Sequence, residues 1–142
     1  MLGNLPLIAH SIKVAKDEGS ISEVFVSTDC PEIAAIAKQF GATVIDRPSE
    51  LASDTASEWL AWQHGVQQVE QTHGKFDTFI SLPATSPLRS VEDVRSCLAA
   101  LDSETDMVIT VTPAARSPWF NMVKLDAKGM CQLVNDAGQF HR

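Results

Sequence analysis

The sequence has little positive charge, no close cysteine pair and no long apolar run. Cys30, Cys97 and Cys131 stand far apart, so neighbouring thiols offer neither a zinc cage nor a redox motif, and an odd number leaves one thiol outside any disulfide scheme. No apolar run approaches the roughly 20 residues of a membrane span, and the amino terminus lacks the charged and apolar pattern of a signal peptide. A cytoplasmic location is the expectation. The formal charge of -7 argues against nucleic acid or an anionic membrane as the main partner, since both need a basic face. A small anionic ligand held by a few placed arginines remains compatible with it. No linker, internal repeat or low-complexity tract is visible, so residues 1–142 are expected to form a single domain. No Ser/His/Asp or Cys/His arrangement appears either. His10, His64, His73 and His141 have no acidic or cysteine neighbour at ligand spacing, and no catalytic or metal-ligating residue is singled out.

What is present is the composition of a globular protein, 44% apolar and 20% charged, arranged as helices alternating with short apolar strands. Asn4 is placed to cap a helix from Leu5 to Glu18, with Pro6 in its first turn and Gly19 past its end. Val24-Phe25-Val26 runs as a strand into the tip Ser27-Thr28-Asp29, and a helix carrying Ile33, Ala34, Ile36, Ala37 and Phe40 follows Pro31. Ala42 to Ile45 is a short strand, and the next nine residues, Asp46 to Asp54, form a loop. Asp54 or Thr55 is expected to cap a helix reaching about Thr72, with Trp59, Leu60, Trp62, Val66 and Val69 as its apolar face.

Phe76-Asp77-Thr78-Phe79-Ile80-Ser81-Leu82 reads as a buried strand delivering a loop, Pro83-Ala84-Thr85-Ser86-Pro87-Leu88-Arg89, in which two prolines stop the ladder. Ser90 and Asp93 make a capping box for a helix from Val91 to Leu101. Met107 to Val111 is read as a further strand. Trp119 to Leu125 and Met130 to Val134 flank a turn at Asp126-Ala127-Lys128-Gly129, and the polar last eight residues look unfinished. The pattern predicts an α/β fold: a mostly parallel sheet flanked by helices, with a late β-hairpin. Three polar tips follow three strands: Ser27-Thr28-Asp29, the Arg47 to Ser57 loop, and Thr85-Ser86 with Arg89. Successive parallel strands put their carboxyl ends on one sheet edge, so the tips can converge on one cleft. Ser27, Thr28 and Asp29 are equally the types that cap helices, and Thr85 and Ser86 equally form turns.

Val26-Ser27-Thr28-Asp29, the run from Arg47 to Ser57 (RPSELASDTAS), and Ala84-Thr85-Ser86-Pro87-Leu88-Arg89 resemble, in order and spacing, the acylneuraminate cytidylyltransferases, the CMP-sialic acid synthetases. The resemblance runs from about Leu5 to Arg142. It implies a Rossmann-like nucleotidyltransferase fold and transfer of CMP from CTP to a sialic acid, a 2-keto sugar acid, with release of pyrophosphate. The implied cofactor is Mg2+, and the implied state is a homodimer with residues 113–142 starting the dimerisation segment. It further implies nucleotide binding by Arg47, Ala56, Ser57, Ser27, Thr28 and Asp29, with Arg47, Ala56 and Ser57 at the cytosine. Pro83, Thr85 and Ser86 are implied to face the sugar, with Arg89 stabilising their loop.

Two departures shape the expectation. Members of that family begin with a central strand and a phosphate-cradling loop, and they end with an aspartate pair that ligates the metal; this sequence contains neither. The isolated chain is therefore expected to be a partial, inactive domain. Without the first strand, Val24–Ser27 and Phe76–Leu82 either close up on each other or leave a gap for another chain. Pro83 and Ala84 stand where many members have glutamine and proline, which keeps legionaminic, pseudaminic and 3-deoxy-octulosonic acids open as sugars. A non-catalytic nucleotide-binding or dimerisation remnant is the alternative from another class.

Overall fold

The structure, a computed structural model, describes residues 1–119 and 121–135. Phe120 within the predicted Trp119–Leu125 run, together with His141 and Arg142, lies outside the described residues. The chain divides into two compact units, Met1–Val108 and a second that starts at Ile109. The first is a mixed α/β unit with a small parallel sheet.

In that unit α1 (Leu7–Glu18) leads to β1 (Phe25–Thr28), α2 (Pro31–Gln39) and β2 (Thr43–Asp46), then a 3-10 turn at Ser49–Leu51, α3 (Glu58–His73) and α4 (Val91–Ala100). Helix α1 starts two residues later than Asn4 would place it, with Pro6 at the N-cap and no side-chain cap. Leu2 and Leu5 instead exchange backbone hydrogen bonds of 2.8 and 3.2 Å, which hold Asn4 in a turn. Gly19 closes the helix with φ 91°, a left-handed conformation that glycine adopts without the steric cost of a Cβ. β1 and β2 pair in parallel, with Val26 opposite Val44. The right-handed logic of such a unit puts α2 across them. Ile12, Val26, Ala37 and Ala42 form the buried cluster, with Ile8, Val24, Phe40 and Val44 packed against it. Helix α4 begins as expected, with the Ser90 hydroxyl and the Asp93 carboxylate in a reciprocal capping box.

Three expectations are corrected. Residues 76–82 form no strand, and among the described residues they make no backbone hydrogen bond. A strand has no internal bonds and needs a neighbour to exist. The open edge of β1 is separated from this run by a cavity of about 1210 Å3 that both segments line. The two runs therefore do not close up, and the sheet of the first unit has two strands. Met107 to Val111 is likewise outside any strand.

Helix α3 starts at Glu58 rather than after Asp54 or Thr55, and Trp59 and Leu60 on its expected apolar face are exposed, Ala61 being its buried residue. Much of that face, with Trp62, Val66 and Val69, lines the cavity. Trp62 also packs on Phe79 at a centroid distance of 6.0 Å.

In the second unit β3 (Val123–Leu125) and β4 (Cys131–Leu133) form the expected antiparallel hairpin. Asp126 organises its turn, its carboxylate accepting from the Lys128 and Met130 amides at 2.8 and 2.9 Å. Gly129 there has φ 78°. Among the described residues no helix is long and apolar enough to cross a membrane.

Candidate functional site

The carboxyl ends of β1 and β2 make the floor of the site. In a parallel ladder alternate residues turn both backbone groups to one side. The bonds from Thr43 N–H to the Val24 carbonyl, 2.9 Å, and from Arg47 N–H to the Thr28 carbonyl, 3.1 Å, turn the even-numbered residues of β1 toward β2. Phe25 and Ser27 thus aim their backbone groups at the open edge.

Arg47, one residue past β2, crosses the tip of β1 to reach that edge. Its Nη2 donates to the Ser27 carbonyl at 2.7 Å and its Nε to the Ser27 hydroxyl at 3.1 Å. The two bonds hold the guanidinium along one of its planar edges.

Thr28 is buried, and its Oγ accepts from the Cys30 amide at 3.1 Å. The hydroxyl thus holds the turn that leads into α2, whose N-cap is Cys30 with no side-chain cap. Asp29 beside it is exposed. A neighbouring carboxylate, Glu32, is held below the usual glutamate range chiefly by the Cys30 thiol, which donates to it at 3.1 Å.

Ser27, Thr28, Asp29, Arg47, Ala56, Ser57 and Pro83 all line the 1210 Å3 cavity. Seven of the nine residues that the sequence singles out therefore share one space. The cavity is long because it also runs between β1 and residues 76–82.

Thr85 and Ser86 do not line it and are exposed. Their loop is turned by a bond from the Ser86 amide to the Pro83 carbonyl at 3.2 Å. The same carbonyl accepts from the Ser11 hydroxyl of α1 at 3.3 Å, so Pro83 anchors the loop against α1. Ser11 is buried and lines the cavity. Sequence reasoning missed it, since a serine on a helix stripe gives no sign of a partner 72 residues away.

Arg89 faces Asp93, whose carboxyl sits below its ordinary value because of the Ser90 amide and hydroxyl first and the Arg89 charge last. One Arg89 nitrogen, Nη1, is buried without a hydrogen-bond partner, as is His64 Nδ1.

The donor set does not build a magnesium cage on its own. Among the described residues no three His, Cys, Asp or Glu side chains are grouped so as to hold a metal ion. A second cavity of about 450 Å3 lies on the hairpin, lined by Lys124, Gln132, Leu133 and Val134, none of them a residue singled out above.

What the main cavity offers is the Arg47 guanidinium, the Lys75 amine, the His73 ring, the carboxylates of Glu23, Asp29, Glu58 and Asp77, and several hydroxyls, among many apolar side chains. That set suits a polar, hydrogen-bonding small molecule.

A family model described as cytidylyltransferase matches residues 1–125. The chain is 35% identical over 127 residues to post-translational flagellin modification protein B of Campylobacter coli, covering 87% of this chain and 54% of that protein. It is 33% identical over 119 residues to the CMP-N,N'-diacetyllegionaminic acid synthase of Legionella pneumophila, covering 83% of this chain and 51% of that one. It is also 35% identical over 89 residues to an N-acylneuraminate cytidylyltransferase of Escherichia coli, covering 63% of this chain and 20% of the other. The chain spans about half the length of the first two of these curated relatives.

Proposed function

The chain belongs to the cytidylyltransferase family, and on that premise we propose that it supplies the base-reading part of an enzyme that transfers CMP from CTP to a sialic acid or related 2-keto sugar acid, releasing pyrophosphate. The observation that carries this reading is the convergence of Ser27, Asp29, Arg47, Ala56, Ser57 and Pro83 on one cavity at the sheet edge. An arginine and neighbouring backbone groups suit the carbonyl and amine of a pyrimidine, and hydroxyls suit a sugar. The names of the relatives support a nine-carbon sugar acid of the sialic or legionaminic kind.

The whole enzyme is read as a Rossmann-like nucleotidyltransferase, homodimeric through a segment starting near residue 113, cytoplasmic and using Mg2+. Among the described residues no three His, Cys, Asp or Glu side chains are grouped to hold that metal. Thr85 and Ser86 stay with the sugar in this reading and must swing toward the cavity to reach it. A second reading, a nucleotide-binding or dimerisation module without turnover, is supported by the open β1 edge and the exposed Phe79, apolar surface that a partner could cover.

Calorimetry of the 142-residue chain with CTP and CMP tests the proposal. Binding of both nucleotides, lost in Arg47→Ala, is expected. No binding to either overturns it. Incubation with CTP, Mg2+ and a sialic acid should yield little CMP-sugar, and turnover at an ordinary enzymatic rate would overturn the view that this portion does not suffice for catalysis.

A further inference from the structure

A guanidinium carries five N–H groups, and they form two usable forks: one from Nε and Nη2, the other from Nη1 and Nη2. Ser27 takes the first fork whole, with its carbonyl on Nη2 at 2.7 Å and its hydroxyl on Nε at 3.1 Å. Among the described residues Arg47 makes no ion pair and no further side-chain hydrogen bond. It lines the cavity, so the second fork is the one a ligand meets.

That fork is two parallel donors. Cytosine presents two adjacent acceptors, O2 and N3, which match it. Uracil has a proton on N3 and meets one of the donors with a donor of its own.

We propose that Ser27 is a positioning residue: by holding Arg47 along its Nε–Nη2 edge, it fixes the Nη1–Nη2 edge toward the base and thereby makes the site select cytosine over uracil. The inference rests on the nucleotide reading above and replaces the expected direct contact of Ser27 with the nucleotide. Ser27 suits the task because β1 turns its carbonyl to the open edge while its side chain stays at the strand tip. A site built to satisfy a hydrogen-bond pattern rejects the analogue that leaves its groups opposed, by large factors.

The test compares CMP with UMP by calorimetry in the parent chain, Ser27→Ala and Ser27→Thr, together with the exchange of the Arg47 Nε proton followed in nitrogen-resolved proton spectra. The parent should favour CMP by about tenfold or more. Ser27→Ala keeps the carbonyl and loses only the hydroxyl. It should bring the CMP-to-UMP ratio below about threefold and speed Nε–H exchange, while Ser27→Thr restores both. A merely structural role would weaken both nucleotides equally and leave the ratio alone.

An unchanged ratio in Ser27→Ala overturns the inference and leaves the nucleotide reading standing. Nε–H exchange as slow in Ser27→Ala as in the parent also overturns it, whether or not nucleotide binds. Failure of the parent to bind either nucleotide overturns the nucleotide reading and the selective role of Ser27 with it.

Discussion

Val24-Phe25-Val26-Ser27-Thr28 and Phe79-Ile80-Ser81-Leu82 are alike on paper, each an apolar run carrying a serine next to its last residue. The first is laddered to β2 and packs on Ile12, Ala37 and Ala42. The second has no backbone hydrogen bond among the described residues, and its Phe79 is 49% exposed. The difference lies in what each run finds beside it. β1 has β2 within twenty residues, joined by a single helix, so its neighbour is close in sequence and the loop entropy is small. The run at residues 76–82 reaches β1 only across the cavity. Strand propensity is fit to a neighbour rather than a property of the segment, and the same kind of run is folded in one place and merely extended in the other.

The sharpest way to break that contrast is to truncate one side chain on each side of it. Ile12 is 2% exposed at the centre of the buried cluster, and Ile12→Ala should cost about 2 to 5 kcal/mol in urea unfolding. Phe79→Ala, which removes a half-exposed ring resting on Trp62, should cost about 1 kcal/mol or less. Equal losses would mean that residues 76–82 are packed as firmly as β1.

A smaller effect isolates structure that needs no distant neighbour. Ser90 Oγ accepts from the Asp93 amide at 3.1 Å, and the Ser90 amide donates to the Asp93 carboxylate at 2.8 Å. The box closes within four residues, and Ser90→Ala should cost about 1 kcal/mol in the same titration. A loss below a few tenths would show α4 to be held by packing of Val94 rather than by its cap.

The same division explains what could be read from the residues alone. Signals whose partner lies within a few positions were legible: the Ser90–Asp93 box, Gly19 after α1, and the Asp126–Gly129 turn. So was the gathering of Ser27, Asp29 and Arg47, because it follows from the handedness of parallel strands rather than from any single contact; the third tip, Thr85-Ser86 with Arg89, was expected to join them by the same rule and does not line the cavity, since no strand delivers it. Features set by distant chain were not. Residues 76–82 read as a strand because period and composition say nothing about whether a partner is in reach. Trp59 and Leu60 read as buried because the helix stripe does not tell what faces it. The grip of Ser27 on Arg47 spans 20 residues and has no local signature, and neither has the bond from Ser11 to Pro83.

Glu18 is the case between the two kinds, and it carries the smallest expected effect. An acidic residue closing a helix reads as solvated, yet its side chain is only 5% exposed. Its carboxylate accepts from the Ser20 hydroxyl at 2.6 Å and from the Ser20 and Ile21 amides at 2.7 and 3.2 Å. From far along the chain, Arg95 of α4 donates to the Glu18 carbonyl at 3.2 Å and lies 3.8 Å from the carboxylate. The Ser20 hydroxyl first, then the Ser20 amide, and further down the Ile21 amide and the Arg95 charge, hold the carboxyl below its ordinary value of 4.5, against the upward push of burial. With the folded value depressed, the unfolded chain binds more protons in that range. The stabilisation is therefore complete above the ordinary value and is lost as pH falls through the lower folded one. Melting temperature followed through the acid range should fall less steeply with acid in Glu18→Gln than in the parent. The residual slope comes from Asp93, Asp102 and Glu32, whose values are lowered too. Arg95→Gln separates the local from the distant share: because the Ser20 and Ile21 bonds outrank the Arg95 charge, it should leave most of the Glu18 acid dependence in place. If Arg95→Gln flattens the profile as far as Glu18→Gln does, the end of α1 is held by α4, and the first unit leans on distant contacts more than its ladder and caps imply.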